Sequence, residues 1–463
     1  MSGDAQPDLW DDEERRIRTI PQYVLDYAPL IHLYSKEEFW PCDVASHLEH
    51  TMPYVNYTPI ETPNRHWNMS ELGLLGKYGW DAYLNSDDDV ETRPDWLGGK
   101  SNIPGDSNGD GGDGGEDDDD DDDDDRFHWD DDDETPDTKG YTEQEARREA
   151  ERLDEEAYLQ AELDEEAKQI SSELKKRSLA GSPIPLEQGG RSDAPVILIS
   201  VDKGNGVVDA FWFFFYSYNL GNKVVNVRFG NHVGDWEHTC VRFVDGEPTL
   251  IFFSEHFFGE AYTYAAVEKR GKRVSFIFPH SRHSFAPANA CLLAFLQPIG
   301  FSATGTHAMY GSAGVHRYIL PWGLLHDVTD RGPLWDPALN SHSYTFDPNT
   351  RIIRSSTLDP YAPTSWLNFP GHWGDKAYPL SDHRQYKFAG QYHYVSGPMG
   401  PKFHRLNREK ICQDQGECKI RHWVGGTVHR WSRHGLGMGE REDEFGNRQG
   451  LLDEIQILMA NRW

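Results

Sequence analysis

The amino-acid sequence predicts a mainly β protein whose main domain is an antiparallel β-sandwich wrapped by long loops. Short runs of β-branched and aromatic residues follow one another closely beyond Pro183, and a turn at Asp245-Gly246-Glu247 separates two of them as in a hairpin. No pattern of helical length lies between the runs, which favours antiparallel strands over a parallel α/β sheet. The runs are Pro195–Val201, Ala210–Tyr218, His238–Phe243, Pro248–Ser254 and Arg273–Phe278.

The order of the segments predicts a tail, a core interrupted by an insertion, and a C-terminal extension. Residues 1–20 form the expected tail, and residues 21–86 form the N-terminal part of the core, where Tyr23–Leu33 has a strand-like composition. Residues 190–425 form the main β-sandwich domain, whose last third is rich in Pro, Gly and Trp and should wrap the sandwich. Residues 426–463 form the extension.

Residues 87–139 form an acidic insertion that we expect to be disordered. Aspartate and glycine dominate it, with an unbroken run from Asp117 to Asp125, and this composition cannot bury enough apolar area to offset the loss of chain entropy. The run lacks the spaced ligands and terminal glutamate of an EF-hand loop. The whole chain has a net charge of −32, which disfavours binding to nucleic acid and to anionic membrane surfaces.

Residues 140–181 predict one long, highly charged helix. Thr142 and Glu145 form a capping box, and apolar residues then recur at helical spacing as far as Ala180-Gly181. The apolar stripe is thin and rich in alanine, which favours a helix that lies across a surface or pairs weakly in a coiled coil.

Targeting signals and cysteines indicate a cytoplasmic protein. The first 20 residues show no basic segment followed by an apolar one, so no secretory signal is expected. The most apolar windows, Val207–Tyr218 and Ala290–Gly305, are too short or too interrupted to span a bilayer, which predicts no transmembrane segment. The five cysteines fit reduced thiols better than disulfides. For the only close pair, Cys412 and Cys418, a local disulfide or a metal site is the less favoured alternative to plain structural cysteines.

The densest group of potentially functional residues is the loop-like segment Gly230–His238, which contains His232, Asp235 and Glu237. In an extended chain Asp235 and Glu237 project to the same face, and the glycines allow His232 to approach them. Two carboxylates on one face repel unless a proton or a cation intervenes. A divalent cation would satisfy them, and an imidazole ligand would favour Mn²⁺ or Zn²⁺. The alternative is a loop anchor in which Asp235 accepts hydrogen bonds from backbone amides.

Three further clusters could converge on this segment, around His256, His307, and the pair Asp327 and Asp330. A histidine at the end of a strand can bind a metal or transfer a proton, although a single one more often has a structural role. We therefore consider His307, Asp327 and Asp330 as possible additional metal ligands, and His256 and His307 as catalytic candidates. The sequence contains none of the motifs of P-loop ATPases, Rossmann dehydrogenases, α/β-hydrolases or zincins.

Five segments carry a family resemblance. They are Tyr27–Pro41, Asn231–His238, Ser254–His256, Gly305–Tyr310 and Asp327–Gly332. Together they resemble the vacuolar protein sorting-associated protein 62 family of fungi, over residues 20–83 and about 190–420. The resemblance implies a role in protein delivery to the vacuole, protein partners of vacuolar trafficking, and a place in the cytoplasm or at the periphery of vacuolar or endosomal membranes.

The candidate loop has a second, shorter likeness. The string His232-x-x-Asp235-Trp236-Glu237 is similar to part of the G-H-R-H-D-W-E heptapeptide of necrosis- and ethylene-inducing-like cytolysins. The β-sandwich of those proteins binds a divalent cation through its His, Asp and Glu, which implies His232, Asp235 and Glu237 as metal ligands here. Gly230 lies two residues before His232 rather than directly before it.

Two functions are consistent with these observations. In the first, an intracellular sorting protein uses a divalent metal ion held by the His232 segment to bind a polar ligand such as a glycan or a lipid headgroup. In the second, the same ion belongs to a hydrolase of phospho- or glyco-esters, and His256 or His307 transfers the proton. One bound ion needs only some of these histidines as ligands. The remaining histidines motivate the second function.

Overall fold

The computed structural model describes residues 7–60, 66–105, 189–224, 227–256, 258–274, 293–317, 325–388, 390–413 and 418–424. All of them belong to one compact unit, and a second unit, Asn108–Pro185 with Leu452–Trp463, lies wholly outside the described residues. The expected charged helix at 140–181, most of the acidic insertion and the C-terminal extension therefore also lie outside them.

The described residues are mostly strands, so the prediction of a mainly β fold is confirmed. The strands are β1 Leu30–His32, β2 Thr51–Val55, β3 Thr58–Pro59, β4 Ala82–Ser86, β5 Val196–Gly204, β6 Val207–Asn219, β7 Lys223–Val224, β8 Val227–Arg228, β9 His232–Val244, β10 Glu247–Glu255, β11 Phe258–Thr263, β12 Lys269–Val274, β13 Leu293–Ser302, β14 Met309–Tyr310, β15 Gly314–Arg317, β16 His326–Thr329, β17 Leu334–Trp335, β18 Ser341–Phe346, β19 Ile353–Ser355, β20 Lys387–Phe388, β21 Gln391–Tyr392 and β22 Ile420–Arg421.

The helices are short. They are α1 Asp12–Ile17, α2 Gln22–Asp26, α3 Val44–Leu48 and α4 Asp95–Gly98, with 3₁₀ turns at Pro7–Leu9, Leu72–Asp81, Val90–Thr92, Lys100–Asn102, Pro337–Leu339, Ser365–Asn368 and Pro401–Phe403. The stretch Tyr23–Leu33, whose composition is strand-like, therefore begins in helix α2 and reaches a strand only at β1.

An eight-stranded sheet in the order β19-β18-β5-β6-β9-β10-β11-β22 is the centre of the fold. The strands β5 to β11 within it pair antiparallel, as predicted, with β9 and β10 joined at the expected Asp245-Gly246 turn. The outer pairs β18–β5 and β11–β22 are parallel, so the whole sheet is mixed. Parallel pairing requires a long connection, and β18 returns to β5 after more than a hundred residues of chain.

Both faces of the central sheet are buried, which explains why β6 is an almost continuous aromatic run. Phe211, Phe213 and Phe215 pack on one face against a layer of irregular chain that includes Trp366 and Trp373. On the other face, alternate residues of β6 pack against a second sheet, in which β12, β13, β1 and β17 are neighbours and β14 pairs with β13. The side chains at this second contact are Trp212, Phe214, Tyr216, Ile31, Met309 and Trp335.

The folded core extends beyond residue 86 and at least as far as Gly105, so the first part of the expected acidic insertion is ordered. Val90 and Leu97 are buried at 1% exposure each. Acidic residues in this stretch serve local structure, since Asp89 caps a 3₁₀ turn and Asp88 accepts a hydrogen bond from the Trp96 indole. An acidic composition is therefore compatible with order where the carboxylates have backbone and side-chain donors.

The chain before the insertion and the chain after it meet at the surface of the described unit. Gly105 and Arg191 exchange two backbone hydrogen bonds of 3.0 and 3.2 Å. Replacing residues 108–185 by a short Gly-Ser linker should leave the free energy of unfolding unchanged or raise it by up to about 2 kcal/mol, because a shorter loop costs less closure entropy. Denaturant and thermal unfolding would measure this, and a fall in Tm of more than about 5 °C would contradict it.

The expectation that Cys412 and Cys418 are unpaired is wrong, because they form a disulfide. Ile411 is anchored in the core next to one cysteine, and β22 begins two residues after the other. Both cysteines are therefore held near the same edge of the sheet, a proximity that their spacing does not reveal. Among the described residues, Cys42 and Cys240 are buried free thiols, as expected.

Candidate functional site

The segment that was expected to be a loop belongs to strand β9, which begins at His232. β9 pairs with β6 so that Asp235 lies opposite Tyr216 and Glu237 lies opposite Phe214. Side chains of directly opposed residues share a face, and the face of Tyr216 and Phe214 is the interior between the two sheets. Asp235 and Glu237 are each only 5% exposed there. The strand thus buries two neighbouring acids on one face.

His232 lies at the half-buried start of β9, and the backbone sets its tautomer. Its Nδ1 donates to the carbonyl oxygen of Gly234 at 2.7 Å. Burial lowers the pKa of His232, so the ring is neutral and presents Nε2 as an acceptor. Gly234 has a φ of 67°, and a Cβ there would lie 1.8 Å from the carbonyl oxygen of Trp373, so this position of β9 requires glycine. A neutral imidazole oriented by a backbone carbonyl is the form in which histidine binds metals.

His307 is the partner of Asp235. Its Nδ1 lies 2.9 Å from Asp235 Oδ2 and its Nε2 lies 3.0 Å from the carbonyl oxygen of Phe39. The ring stacks on Tyr216 with the centroids 3.7 Å apart and is fully buried. Because both nitrogens face oxygen acceptors, the ring satisfies both contacts only by donating from both, the form that carries a positive charge. This environment makes His307 a positioning group for Asp235 and argues against its role as the proton-transfer residue.

Glu237 is held in its neutral form. Burial, together with the carboxylates of Asp235 and Asp327, raises the pKa of Glu237 well above its usual range. The Ser254 hydroxyl donates to Glu237 Oε2 and accepts from the backbone N–H of His238 at 2.7 Å. The repulsion between the two acids of β9 is therefore relieved by a proton on Glu237 and by His307 beside Asp235.

Asp327 has a complete set of hydrogen-bond donors. Thr306 Oγ1 and Asn222 Nδ2 donate to Oδ1 at 2.8 and 3.0 Å, while His256 Nε2 and Tyr310 Oη donate to Oδ2 at 2.7 Å each. Burial opposes its charge, but His256 and these hydrogen bonds lower the pKa of Asp327 to about 2. A carboxylate has about four lone-pair sites, so Asp327 has no acceptor capacity left for a metal ion.

His256 occupies the turn between β10 and β11. Its φ of 53° is in the left-handed region, which is uncommon for residues other than glycine but which histidine enters more readily than most. Burial opposes its charge, but the contact with Asp327 raises the pKa of His256 above its usual value. The side chain is 21% exposed, in contrast to the fully buried His307. Of the two catalytic candidates, His256 is the one that solvent reaches.

Asp330 has a different role from the one suggested by the sequence. Its carboxylate accepts hydrogen bonds from the backbone N–H and the hydroxyl of Ser35 and from the backbone N–H of Gly332. It therefore connects the chain after β1 to the chain before β17. None of the hydrogen bonds described for Asp330 involves Asp235 or Glu237 of β9.

Sequence reasoning missed Glu255 and Glu260 on the neighbouring strands. Glu255 ends β10 on the same face as Phe253, and burial together with Glu260 raises the pKa of Glu255 well above its usual range. Glu260 of β11 forms an ion pair of 2.5 Å with Arg421 of β22. Glu255 could have been found from the sequence, because alternate residues of a strand face the same side and Glu255 lies two residues after the core residue Phe253. We call the following group the acidic site: Asp235, Glu237, Glu255, Asp327, His256 and His307.

Two features are absent from the described residues. No group of three or more His, Cys, Asp or Glu side chains in this part of the chain is already arranged to hold a metal ion. No helix in it is long and apolar enough to cross a membrane.

The fold and the site define a class, that of β proteins with an acidic site buried between two sheets. The comparisons identify the family. The chain is 34% identical over 450 residues to the putative vacuolar protein sorting-associated protein TDA6 of Saccharomyces cerevisiae, a match that covers 95% of this chain and 79% of the relative. It is 31% identical over 457 residues to vacuolar protein sorting-associated protein 62 of the same yeast, covering 94% and 76%. The chain belongs to the vacuolar protein sorting-associated protein 62 family.

No protein-family model matches the chain, and no solved structure matches it either.

Proposed function

We propose that this family member takes up one divalent cation at the acidic site and uses it to bind a polar ligand such as a glycan or a lipid headgroup. Asp235 and Glu237 are the carboxylate ligands of the proposal, and His232 is the imidazole ligand. The observation that carries it is the neutral state of Glu237, an acid that burial beside Asp235 forces to keep its proton. A buried carboxyl group that keeps its proton beside a second carboxylate is one where a divalent cation can replace that proton.

The chemistry of the donors supports the proposal. His232 is already neutral, as a metal ligand must be, and its Nδ1 is occupied by Gly234. His307 would keep Asp235 oriented, as groups behind metal ligands commonly do. The described side chains are not yet in a ligating arrangement, so binding requires a rearrangement of Glu237 away from Ser254.

Glu237→Gln tests the cation proposal with the least disturbance. Glutamine has the shape of the neutral acid, so the variant should match the wild type within about 1 kcal/mol without metal. Stabilisation by a bound cation follows RT ln(1 + [L]/Kd), about 2.7 kcal/mol at 100 times Kd, and the variant should lose it. Melting curves with EDTA and with Ca²⁺, Mg²⁺, Mn²⁺ or Zn²⁺ measure this, beside metal analysis of the purified protein.

Glu255→Gln is the matched control, since Glu255 is as buried as Glu237, has a similarly raised pKa and lies outside the proposed ligand set. It should retain the response to the cation. If the wild type responds neither to the chelator nor to any of the four cations, the cation proposal is wrong.

The two relatives are named as vacuolar protein sorting-associated, and we infer that this chain also acts in delivery of proteins to the vacuole, in the cytoplasm or at the periphery of vacuolar or endosomal membranes. A tagged copy should be enriched at such membranes, and deletion of the gene should slow the maturation of vacuolar cargo. Uniform distribution of the tagged protein together with normal cargo maturation would contradict this role.

The pair His256–Asp327 favours a hydrolase as the second candidate. A histidine fixed by an ionised carboxylate and reachable by solvent is the arrangement of a general acid or base. The purified protein with Mn²⁺, Zn²⁺ or Mg²⁺ should then cleave phosphodiester, phosphomonoester or glycoside substrates, and His256→Gln should abolish turnover. Absence of any turnover that depends on His256 would exclude this candidate.

A further inference from the structure

The chain between Arg405 and Ile411 is firmly held on the central sheet. The Arg408 guanidinium lies between the rings of Phe211 and Phe252, 4.8 and 4.7 Å from their centroids. Lys203 and Arg242 donate to the backbone carbonyls of residues 408 and 409, and Ile411 is 1% exposed. This part of the chain provides a fixed anchor next to Cys412.

The chain after Cys418 is less deeply buried than the chain between Arg405 and Ile411. β22 is two residues long and pairs only with Ala261 and Tyr262 of β11. Ile420 and Val424 also pack, only partly buried, against the core, and Arg421, whose side chain is 26% exposed, forms an ion pair with Glu260. Trp423, between Ile420 and Val424, is 70% exposed. A short strand and a partly exposed ion pair contribute little stability by themselves.

We propose that the disulfide between Cys412 and Cys418 is a site of thiol–disulfide exchange that fastens β22, with its Arg421, to β11 and its Glu260. A dithiol reductant would break the S–S bond, donate two electrons and two protons to form two cysteine thiols, and become a disulfide itself. Both cysteines are half-buried rather than enclosed, so a reductant can approach the bond.

The geometry explains why this bond controls β22. In the oxidised protein the anchor at Ile411 is linked to Ile420 through the S–S bond, so that β22 is presented to β11 at a high effective concentration. Reduction leaves the full length of chain between the same two points as the link. The entropy of the longer link then opposes docking, and we expect docking to weaken on the order of tenfold.

Release of β22 would alter the acidic site. Arg421 is the positive charge that faces Glu260, and Glu255 lies on the same face of the adjoining strand. Once Arg421 has moved away, the carboxylate of Glu260 lacks its positive partner and β22 no longer covers the interior beside Glu255 and Glu260. We therefore expect a cation to enter the reduced protein more easily, a consequence that rests on the proposed function.

Trypsin digestion of the full chain tests the fastening without any metal. Lys419 and Arg421 are cleavage points within or next to β22, and Arg16 in α1, 66% exposed, is an internal reference. The rate of cleavage after Arg421, followed by mass spectrometry and divided by the rate after Arg16, should rise about tenfold or more on reduction with dithiothreitol. Equal ratios in the oxidised and reduced protein would overturn the proposal.

Cys412→Ser separates the disulfide from other effects of the reductant. The variant should show the fast ratio in both conditions, since Cys42 and Cys240 are unpaired and the Cys412–Cys418 bond is the disulfide of the described residues. A variant that is cleaved as slowly as the oxidised wild type would contradict the proposal. Because no cation is present, a negative result here leaves the cation proposal standing, and a failed cation test leaves this one standing.

Discussion

Asp327→Asn should lower the free energy of unfolding by about 3–5 kcal/mol, the scale expected when one partner of a buried ion pair is removed. Four side-chain donors point at the two carboxylate oxygens of Asp327, and an asparagine would present only one acceptor oxygen to them. At least one donor would then face an amide N–H₂ group, and the charge of His256 would lose its partner. Denaturant unfolding at neutral pH measures the loss.

Asp330→Asn is the matched control for this change. Asp330 lies three residues away and accepts mainly from backbone donors in a half-exposed loop, so the variant should cost only about 1 kcal/mol. If the free energy of unfolding falls by a similar amount in both variants, the hydrogen bonds of Asp327 stabilise the fold no more than those of Asp330.

The pair Asp327–His256 also predicts a dependence of stability on pH. The lowered pKa of Asp327, about 2, contributes stability above the unfolded value near 4 and loses it as the pH falls toward 2, a change of about 2 kcal/mol. The raised pKa of His256 contributes stability below about 6.5 that disappears as the pH rises through the folded value. Asp327→Asn should remove the acid part of this profile.

His307→Asn should cost about 3 kcal/mol or more, because Asp235 would keep a buried charge without its partner and the ring would leave a cavity beside Tyr216. Asparagine is the suitable replacement, since His307 has a φ of 54° and asparagine tolerates this left-handed conformation. The measured loss therefore reports on the imidazole contacts rather than on backbone strain.

Tyr216→Phe is the control for the stacking partner. It keeps the ring that faces His307 and removes a hydroxyl whose contact with Ser302 is 3.3 Å long, so the loss should stay near 1 kcal/mol. A loss for His307→Asn no larger than that of Tyr216→Phe would show that the contact with Asp235 contributes little.

Local features of the sequence are enough to predict the strands at the centre of the fold and the face that carries the candidate ligands. Runs of aromatic and β-branched residues adopt extended structure for local reasons, and β5, β6 and β10 lie close to the predicted runs. The alternation of side chains along a strand is also a local property, so Asp235 and Glu237, which are two residues apart, project to the same face.

The partner of each buried polar group, in contrast, depends on long-range contacts that the sequence does not reveal. The donors to Asp327 come from Asn222, His256, Thr306 and Tyr310, and the partner of Asp235 is His307, separated from it by 72 residues. The Cys412–Cys418 bond and the ordered acidic stretch up to Gly105 depend in the same way on surfaces supplied by distant strands. Composition describes what a residue can bind, whereas burial and long-range pairing determine what it does bind, because a buried charge is stable only where the fold supplies its partner.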